Sequence, residues 1–286
     1  MRTASIVIGD HPHTAPLRTG EVAPEKLALE FVEVEPTNRA FAPMLREGRY
    51  DISEMAITVF LQAVEVGRPV WLLPVVAVGG FHHGSIYANP TAGELAPGDL
   101  AGRRVGVRAY SQTTGLYVRG VLAEEYGVAA DDVTWVTTEG SHVAEYQDPP
   151  NVVRADPDTS LVALLREGAI DAAILGPGRE PAPWCAPLIP DAQGAARRWV
   201  ERHGLIPLNH TVCVGPAIAE DPELVADLTA AFRRAHDVAV ASGARPSPAI
   251  TLDRAAIEAR IAYALGLARQ QGLVRTDLDI PAMFAR

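Results

Sequence analysis

Cysteine is scarce in this 286-residue chain, which contains only Cys185 and Cys213. Two cysteines cannot supply a disulfide scaffold, and they lack the paired spacing of a structural zinc site. No apolar run approaches the roughly 20 residues needed to span a bilayer. The apolar run near the start, Ser5–Ile8, is too short for the core of a signal peptide. These absences predict a cytoplasmic protein without a membrane segment.

Basic residues are also in deficit, because 25 lysines and arginines face 35 aspartates and glutamates, giving a net charge of −10. A nucleic-acid-binding protein needs a basic face to neutralise phosphates, and attachment to an anionic membrane surface needs basic clusters. The acidic balance therefore predicts neither nucleic acid nor membrane as a partner. A small molecule is the expected ligand.

Several cofactor signatures are missing from the sequence. It contains no Gly-x-Ser-x-Gly elbow, no phosphate-binding loop and no dinucleotide glycine fingerprint, so redox cofactors and nucleotide chemistry are not expected. Four histidines and an acidic residue leave a divalent metal site open, but His-x-His is a weak motif and no His-Glu-x-x-His spacing supports it. We therefore predict no cofactor and no metal ligands. The residues concerned are His11, His13, His83 and His210, with Asp10 or Glu54.

Short apolar runs alternate with amphipathic stretches along the chain, a pattern typical of α/β layers. Hydrophobic residues make up 48% of the sequence, enough to bury a sizeable core. The predicted strands are Ser5–Ile8, Ala28–Val34, Ile52–Met55, Val70–Val78, Ser85–Ala88, Arg104–Val107, Val133–Val136, Ala172–Leu175 and Thr211–Gly215. The predicted helices are Thr37–Glu47, Thr58–Val66, Thr113–Tyr126, Ser160–Glu167, Ala192–His203, Pro222–Ala241 and Arg254–Gln271.

One short pattern occurs twice. The segment Leu45–Ile52 is matched by Leu165–Ala172, and each copy reads as a helix end, a glycine that can take positive φ, a turn, and an aspartate that opens a strand. A common connection used twice by chance explains this equally well when the pattern is taken alone. Its spacing along the chain favours two similar α/β lobes.

Two turn-rich segments predict the connections between these lobes. They are Asn89–Gly98 and Gly204–Asn209. Lobe one is predicted to contain residues 1–90 and 210–286, lobe two residues 98–205, and the hinge is placed near residues 84–98 and 205–211.

A series of short motifs runs in one collinear order over nearly the whole chain. The motifs are Gly9-Asp10, Asp51–Met55, Phe81–His83 through Ile86-Tyr87, Gly102–Val107, Tyr110 with Gln112-Thr113, Val118–Gly120, Trp135-Val136, Gly168–Ala172 and His210–Val212. Together they resemble the 4,5-dihydroxyphthalate decarboxylase family, and the string from Gly102 to Glu125 is the most specific part. The resemblance implies a type II periplasmic-binding-protein-like α/β fold, with two lobes of mixed sheet joined by a hinge of two crossings.

The sequence departs from the family where a ligand is expected to bind. His11 and His13 occupy a first loop, and His82 a later segment, in which the family pattern carries arginine. Arginine is the side chain suited to bidentate recognition of a carboxylate. The segment Gly176–Pro190 is also shortened, and Arg179 is the nearby guanidinium that remains. The scaffold therefore carries over, and the identity of the substrate stays open.

Candidate site residues lie near strand ends, because ligands of open α/β sheets bind beyond the carboxyl ends of the strands. Ser111–Thr114 opens a predicted helix whose free N–H groups favour an anion, although simple N-capping explains the same residues. Glu54 is also explained as a helix-opening acid, and His210 as a structural histidine. The predicted catalytic residues are His210, His83 and Glu54. The predicted substrate-binding residues are Asp10, His13, Thr14, Met55, His82, Tyr110, Ser111, Gln112, Thr113, Thr114, Arg179 and Thr211.

Together these features predict an intracellular lyase that binds an aromatic or unsaturated carboxylic acid in a cleft between its lobes. Loss of carbon dioxide needs an acid, which His210 or His83 would supply, an anchor for the carboxylate, and a dry site. The alternative is a non-catalytic solute-binding protein for a small anionic organic ligand, because the same scaffold carries such receptors. A homo-oligomer is left open.

Overall fold

The computed structural model describes residues 2–89, 93–156, 158–176, 182 and 184–286. Its chain divides into two compact units, which we call the first and second unit. The first unit contains Met1–Gly80, Ile206–Tyr263 and Thr276–Arg286, and the second contains Phe81–Leu205 and Ala264–Arg275. Within the described residues, no helix combines the length and the apolar character needed to cross a membrane.

Strands and helices alternate through both units. The strands are β1 (Arg2–Val7), β2 (Leu27–Phe31), β3 (Ile52–Ala56), β4 (Trp71–Gly79), β5 (Ile86–Ala88), β6 (Arg104–Val107), β7 (Thr134–Thr137), β8 (Val152–Arg154), β9 (Ala172–Ile174), β10 (Ala186–Pro187) and β11 (Leu208–Val214). The helices are α1 (Ala15–Arg18), α2 (Phe41–Glu47), α3 (Ile57–Glu65), α4 (Thr113–Tyr126), α5 (Leu161–Arg166), α6 (Ala192–His203), α7 (Pro216–Ala219), α8 (Pro222–Ala241) and α9 (Arg254–Gln270).

The first unit is built on a five-stranded mixed sheet with the order β2-β1-β3-β11-β4. Strands β1, β2 and β3 are parallel, whereas β11 lies antiparallel between β3 and β4. All five residues of β3 are buried, so this strand lies at the centre of the core. A strand from the C-terminal part of the chain therefore completes the sheet that the N-terminal part begins.

The second unit contains a six-stranded sheet with the order β10-β5-β9-β6-β7-β8. Its strands β9, β6, β7 and β8 run parallel, and β5 is antiparallel to both β9 and β10. Helix α4 is buried along most of its length in this unit. The carboxyl ends of β6 and β9 and the start of α4 form one edge of the unit.

The division differs from the predicted lobes at two places. Strand β5 was assigned to lobe one, but it pairs with β9 in the second sheet. Residues 264–275 were also assigned to lobe one, and they belong to the second unit. Gln271, for example, donates from Nε2 to the Leu116 carbonyl of α4.

The predicted helix Thr37–Glu47 is interrupted. Residues Thr37–Ala40 form a 3₁₀ turn, and the α-helix begins at Phe41. Proline lacks an N–H and clashes with the carbonyl four residues earlier, so Pro43 is tolerated only in the first turn of an α-helix. Because the α-helix begins at Phe41, Pro43 lies in its first turn.

The two copies of the repeated pattern have the same local structure. Gly48 and Gly168 both take positive φ, at 60° and 73°. Asp51 accepts a hydrogen bond from the Ser5 backbone N–H at 2.8 Å, and Asp171 accepts one from the Arg104 N–H at 2.9 Å. Each aspartate thus joins its own strand to the parallel strand beside it.

Candidate functional site

Three strands of the first unit bring polar side chains to one edge of its sheet. Because β1 and β3 are parallel and β11 is antiparallel to β3, the loop after β1, the end of β3 and the start of β11 meet at that edge. Glu54 lies opposite Val212 in this register, and His210 lies opposite Ala56. The loop after β1 supplies His11.

Glu54 binds two histidines through its two carboxylate oxygens. Its Oε2 atom lies 2.7 Å from Nε2 of His11, and its Oε1 atom lies 2.6 Å from Nδ1 of His210. The backbone N–H of Gly9 also donates to Oε2 at 2.8 Å. Glu54 is only 2% exposed, so these contacts replace its hydration. We call His11, Glu54 and His210 the His–Glu–His triad.

The triad keeps its carboxylate ionised. Burial alone would raise the pKa of Glu54, but the hydrogen bonds and charges of His11 and His210 outweigh it and hold that pKa well below its ordinary value. An ionised carboxylate accepts hydrogen bonds only, which assigns the Nε2–H proton to His11 and the Nδ1–H proton to His210. The opposite nitrogens, Nδ1 of His11 and Nε2 of His210, have no hydrogen-bond partner among the described residues.

Both triad histidines are partly accessible and are held by aromatic neighbours. Their side chains are 19% and 22% exposed for His11 and His210, respectively. The His11 ring stacks on His13 with centroids 5.4 Å apart, and His210 packs edge-on against Phe41 at 5.6 Å. Two ring nitrogens that can exchange protons are thus fixed beside one buried negative charge.

His13 supports the triad as a neutral ring. Burial, followed by the charge of His11, lowers its pKa to about 4. Its Nε2 atom is buried without a hydrogen-bond partner among the described residues. At neutral pH His13 therefore brings a stacking surface to His11 without adding a positive charge of its own.

The distances in the triad are those of hydrogen bonds between nitrogen and oxygen. Within the described residues, no cluster of three or more histidine, cysteine, aspartate or glutamate side chains has a geometry that could hold a metal ion. Of the four histidines that left a metal open in the sequence, His11 and His210 contact Glu54, His13 stacks on His11, and His83 lies in the second unit.

The other predicted residues of the first unit have different environments. Asp10 is exposed in the loop after β1. Thr14 donates from Oγ1 to the His11 carbonyl at 3.2 Å, which fixes the backbone of that loop. Met55 and Thr211 lie opposite each other in β3 and β11, and both are fully buried.

In the second unit, Ser111, Thr113 and Thr114 are buried around the start of α4. The N-cap residue is Gln112, and its side chain makes no capping hydrogen bond. A pocket of about 300 Å³ opens here, lined by Arg108, Gln112, Thr138, Glu139, Ser160, Leu161, Val162, Ile174 and Leu175.

The remaining predicted residues of the second unit contact side chains of that unit. Tyr110 donates its hydroxyl to the Gln271 carbonyl at 3.1 Å. The His82 ring stacks on Tyr117 with centroids 5.1 Å apart. His83 is buried, with Nε2 3.8 Å from Oε1 of Glu125, and burial lowers its pKa. Arg179 lies outside the described residues.

Sequence reasoning identified Glu54 and His210 but gave His11 no role of its own. His11 appeared only as a residue of the polar loop after the first strand and as one of the histidines that left a metal site open. A usable signal was present, because a parallel strand beside β3 must deliver its following loop to the same sheet edge.

No protein-family model matches the chain. It is 32% identical over 257 residues to 4,5-dihydroxyphthalate decarboxylase of Comamonas testosteroni, covering 82% of this chain and 75% of that protein. It is also 32% identical over 209 residues to 4,5-dihydroxyphthalate decarboxylase of Pseudomonas putida, covering 68% of this chain and 80% of the relative.

Solved structures share the fold at low sequence identity. The periplasmic aliphatic sulphonate binding protein SsuA of Escherichia coli is 14% identical, with a TM-score of 0.56 over 100% of this chain and 92% of its own. The desulfurization enzyme DSZB is 14% identical, with a TM-score of 0.58 over 100% and 96%. The predicted type II periplasmic-binding-protein-like α/β fold is confirmed.

Proposed function

Because the chain belongs to the 4,5-dihydroxyphthalate decarboxylase family, we propose that it is a carboxy-lyase. Its substrate would be an aromatic carboxylic acid that carries a ring hydroxyl. The His–Glu–His triad would be the centre of proton transfer. The one observation that carries this proposal is the buried Glu54 carboxylate, which holds an imidazole on each of its oxygens.

The chemistry of decarboxylation matches what the triad can supply. A proton from the acid adds to the ring carbon that bears the carboxylate, the bond from that carbon to the carboxylate breaks, and carbon dioxide leaves as the ring regains aromaticity. A positioned imidazolium is suited to the first step, and the negative charge of Glu54 stabilises it. His210 would be this acid, through its Nε2 atom, because Nδ1 is held by Glu54.

The substrate class follows from the same chemistry. A hydroxyl para or ortho to the leaving carboxylate donates electron density to the carbon that is protonated. In 4,5-dihydroxyphthalate, the compound in the relatives' name, each hydroxyl is para to one carboxylate. That compound is the first candidate, and singly carboxylated hydroxybenzoates are the second.

The test is release of carbon dioxide from 4,5-dihydroxyphthalate, 3,4-dihydroxybenzoate and 4-hydroxybenzoate by the purified protein, with benzoate as the substrate that lacks a hydroxyl. We expect turnover only of hydroxylated acids. In His210→Asn, the amide nitrogen keeps a donor to Glu54 but the reactive nitrogen is lost. Turnover should then fall by roughly a hundredfold or more.

The matched control is His203→Gln, because His203 also bonds a glutamate, Glu124, at 3.0 Å but lies in the second unit. This variant should keep wild-type turnover. Binding of hydroxybenzoates without release of carbon dioxide would contradict the proposal and would favour a solute-binding protein instead.

A further inference from the structure

We infer that His11 is a second catalytic residue of this reaction, which takes the proton of the ring hydroxyl while His210 protonates the ring carbon. The inference rests on the proposed decarboxylation and extends it, because it makes a free hydroxyl a requirement of the substrate. It follows from the two unequal halves of the His–Glu–His triad.

Among the described residues, the two carboxylate oxygens of Glu54 accept different numbers of hydrogen bonds. Oε2 accepts two hydrogen bonds, from the Gly9 backbone at 2.8 Å and from His11 at 2.7 Å. Oε1 accepts one, from His210 at 2.6 Å. The unshared oxygen leaves more of the carboxylate's charge to its histidine, and charged donors favour the less saturated acceptor. We assign the acid role to His210, which among the described residues is the one donor to its oxygen, and the base role to His11, which shares its oxygen with the Gly9 N–H.

His11 also has the geometry of a base. With Nε2–H given to Glu54, the lone pair of a neutral ring lies on Nδ1, which is free to accept a proton from a ligand. The backbone N–H groups of Thr14 and Ala15 both donate to the His11 carbonyl at 3.0 Å, so the loop cannot swing freely. Stacking on His13 fixes the plane of the ring.

The proton balance closes with these two residues. His11 takes the hydroxyl proton, the oxygen's electron pair moves into the ring, and the para or ortho carbon takes a proton from His210. Carbon dioxide then leaves, and the electrons of the broken bond restore the aromatic ring and a phenolate. His11 returns its proton to that phenolate, and solvent reprotonates His210. The net change is one proton consumed and one carbon dioxide released.

The experiment compares two substrates in two variants. One substrate is 3,4-dihydroxybenzoate or 4,5-dihydroxyphthalate, whichever the wild type turns over faster. The other is its ring-fluorinated analogue, whose hydroxyl is more acidic. Both substrates are assayed at a pH above the pKa of the fluorinated hydroxyl and below that of the parent hydroxyl, so that the analogue is ionised and needs no base. The variant His11→Gln keeps a donor to Glu54 but has no basic nitrogen. The variant His210→Asn keeps the base and loses the acid.

For the parent substrate, we expect His11→Gln to lower kcat roughly a hundredfold relative to wild type. For the fluorinated analogue, the same variant should be within about fivefold of wild type, whereas His210→Asn should be impaired with both substrates. The ratio between the two substrates does not depend on how much of the variant is folded, so partial unfolding cannot imitate the result.

Two outcomes would overturn the inference while leaving the proposed function standing. One is a His11→Gln variant that is as active as wild type or equally impaired with both substrates. The other uses the wild type alone, so it holds even if the variant does not fold. Turnover of the parent substrate with every hydroxyl methylated, at a rate within about tenfold of the parent, would show that no hydroxyl proton is removed. If the wild type releases no carbon dioxide from any hydroxylated acid, the proposed function itself fails.

Discussion

At the scale of the residue, Glu54 gains three N–H donors in exchange for its water. The donors come from Gly9, His11 and His210. Removing one partner of a buried charged network leaves the remaining groups without compensation, which costs more than the network itself contributes. The role of Glu54 in folding can therefore be separated from its role in proton transfer by choosing the substitution.

Glu54→Gln should lower carbon dioxide release at least about a hundredfold but change the free energy of unfolding at pH 7 by only about 1 kcal/mol. The amide keeps an acceptor for Gly9 and His11, and a neutral His210 can switch tautomer to accept from its NH2 group. Glu54→Ala leaves all three donors without an acceptor and should cost about 3 kcal/mol or more. Urea unfolding measures the free energy of unfolding of both variants. Equal losses of stability in Glu54→Gln and Glu54→Ala would contradict the separation of the two roles of Glu54.

His13 should make stability depend on pH below neutrality. Its folded-state pKa is lowered to about 4 from 6.5. Between these values the unfolded chain binds a proton that the folded chain refuses, so stability falls as the pH decreases from 6.5 to 4. One pKa unit corresponds to about 1.4 kcal/mol, which gives a contribution of about 3 kcal/mol.

The measurement compares wild type with His13→Asn by urea unfolding at several pH values. The free-energy advantage of wild type over the variant should decrease by up to about 3 kcal/mol between pH 6.5 and pH 4 and should change little above pH 7. An advantage that stays constant across this range would show that His13 is not held neutral by its burial.

The sequence could predict that Glu54 and His210 lie near one sheet edge, but not how the His210 ring is oriented there. Position and residue type placed both near the sheet edge. Which nitrogen of His210 faces Glu54 depends on the register of β11 against β3, and no local pattern encodes it. The orientation matters in practice, because Nδ1 faces Glu54 and asparagine, rather than glutamine, is the substitution that keeps this hydrogen bond.

At the scale of the element, the helix ends that are marked by a glycine could be predicted from the sequence. The αL glycines that end α2 and α4, Gly48 and Gly127, were legible from their position after the last helical residue. The interruption at Pro43 was equally legible in principle, since proline is excluded from a helix interior. The short strands β8 and β10 were missed because β8 has only two apolar residues, Val152 and Val153, between polar neighbours, and β10 has two residues, one of them Pro187.

Two glycine-to-alanine substitutions should change stability in opposite directions. Gly48→Ala meets no atom within 4 Å, but it forces alanine to φ 60°, which should cost about 1 kcal/mol. Gly266→Ala also meets no atom within 4 Å, and it lies exposed inside α9, where alanine is favoured by about 0.5–1 kcal/mol. Thermal or urea unfolding compares them, and changes of the same sign would contradict the conformational argument.

At the scale of the whole molecule, the α/β class and the mixed sheets could be predicted from the sequence. The unit to which some segments belong could not. Strand β5 lies just before a proline- and glycine-rich stretch, which favoured a hinge there. Its pairing with β9 depends on a contact 84 residues away in sequence, Ala88 with Ala172, which periodicity cannot reveal. Residues 264–270 lie in α9 without any break in the helical pattern, yet they and the residues that follow to Arg275 belong to the second unit.

That segment completes the second unit around a buried arginine. Arg119 is 1% exposed and, among the described residues, forms no ion pair with a carboxylate. Its Nε atom donates to Oε1 of Gln271 at 2.5 Å, Nη2 donates to the Tyr110 carbonyl at 2.8 Å, and the guanidinium lies 4.0 Å from the Tyr110 ring centroid. A buried charge held by neutral acceptors depends strongly on each of them.

Gln271→Ala should therefore destabilise the protein by about 2–4 kcal/mol, because it removes the acceptor of Arg119 Nε and the donor to the Leu116 carbonyl at one stroke. The matched control is Gln270→Ala, since Gln270 is the exposed neighbour that ends α9 and should change stability by less than about 0.5 kcal/mol. Urea unfolding followed by tryptophan fluorescence suits the test, because Trp135 lies 5.3 Å from the Arg119 guanidinium. Equal effects of the two substitutions would mean that Gln271 does not stabilise the buried charge of Arg119.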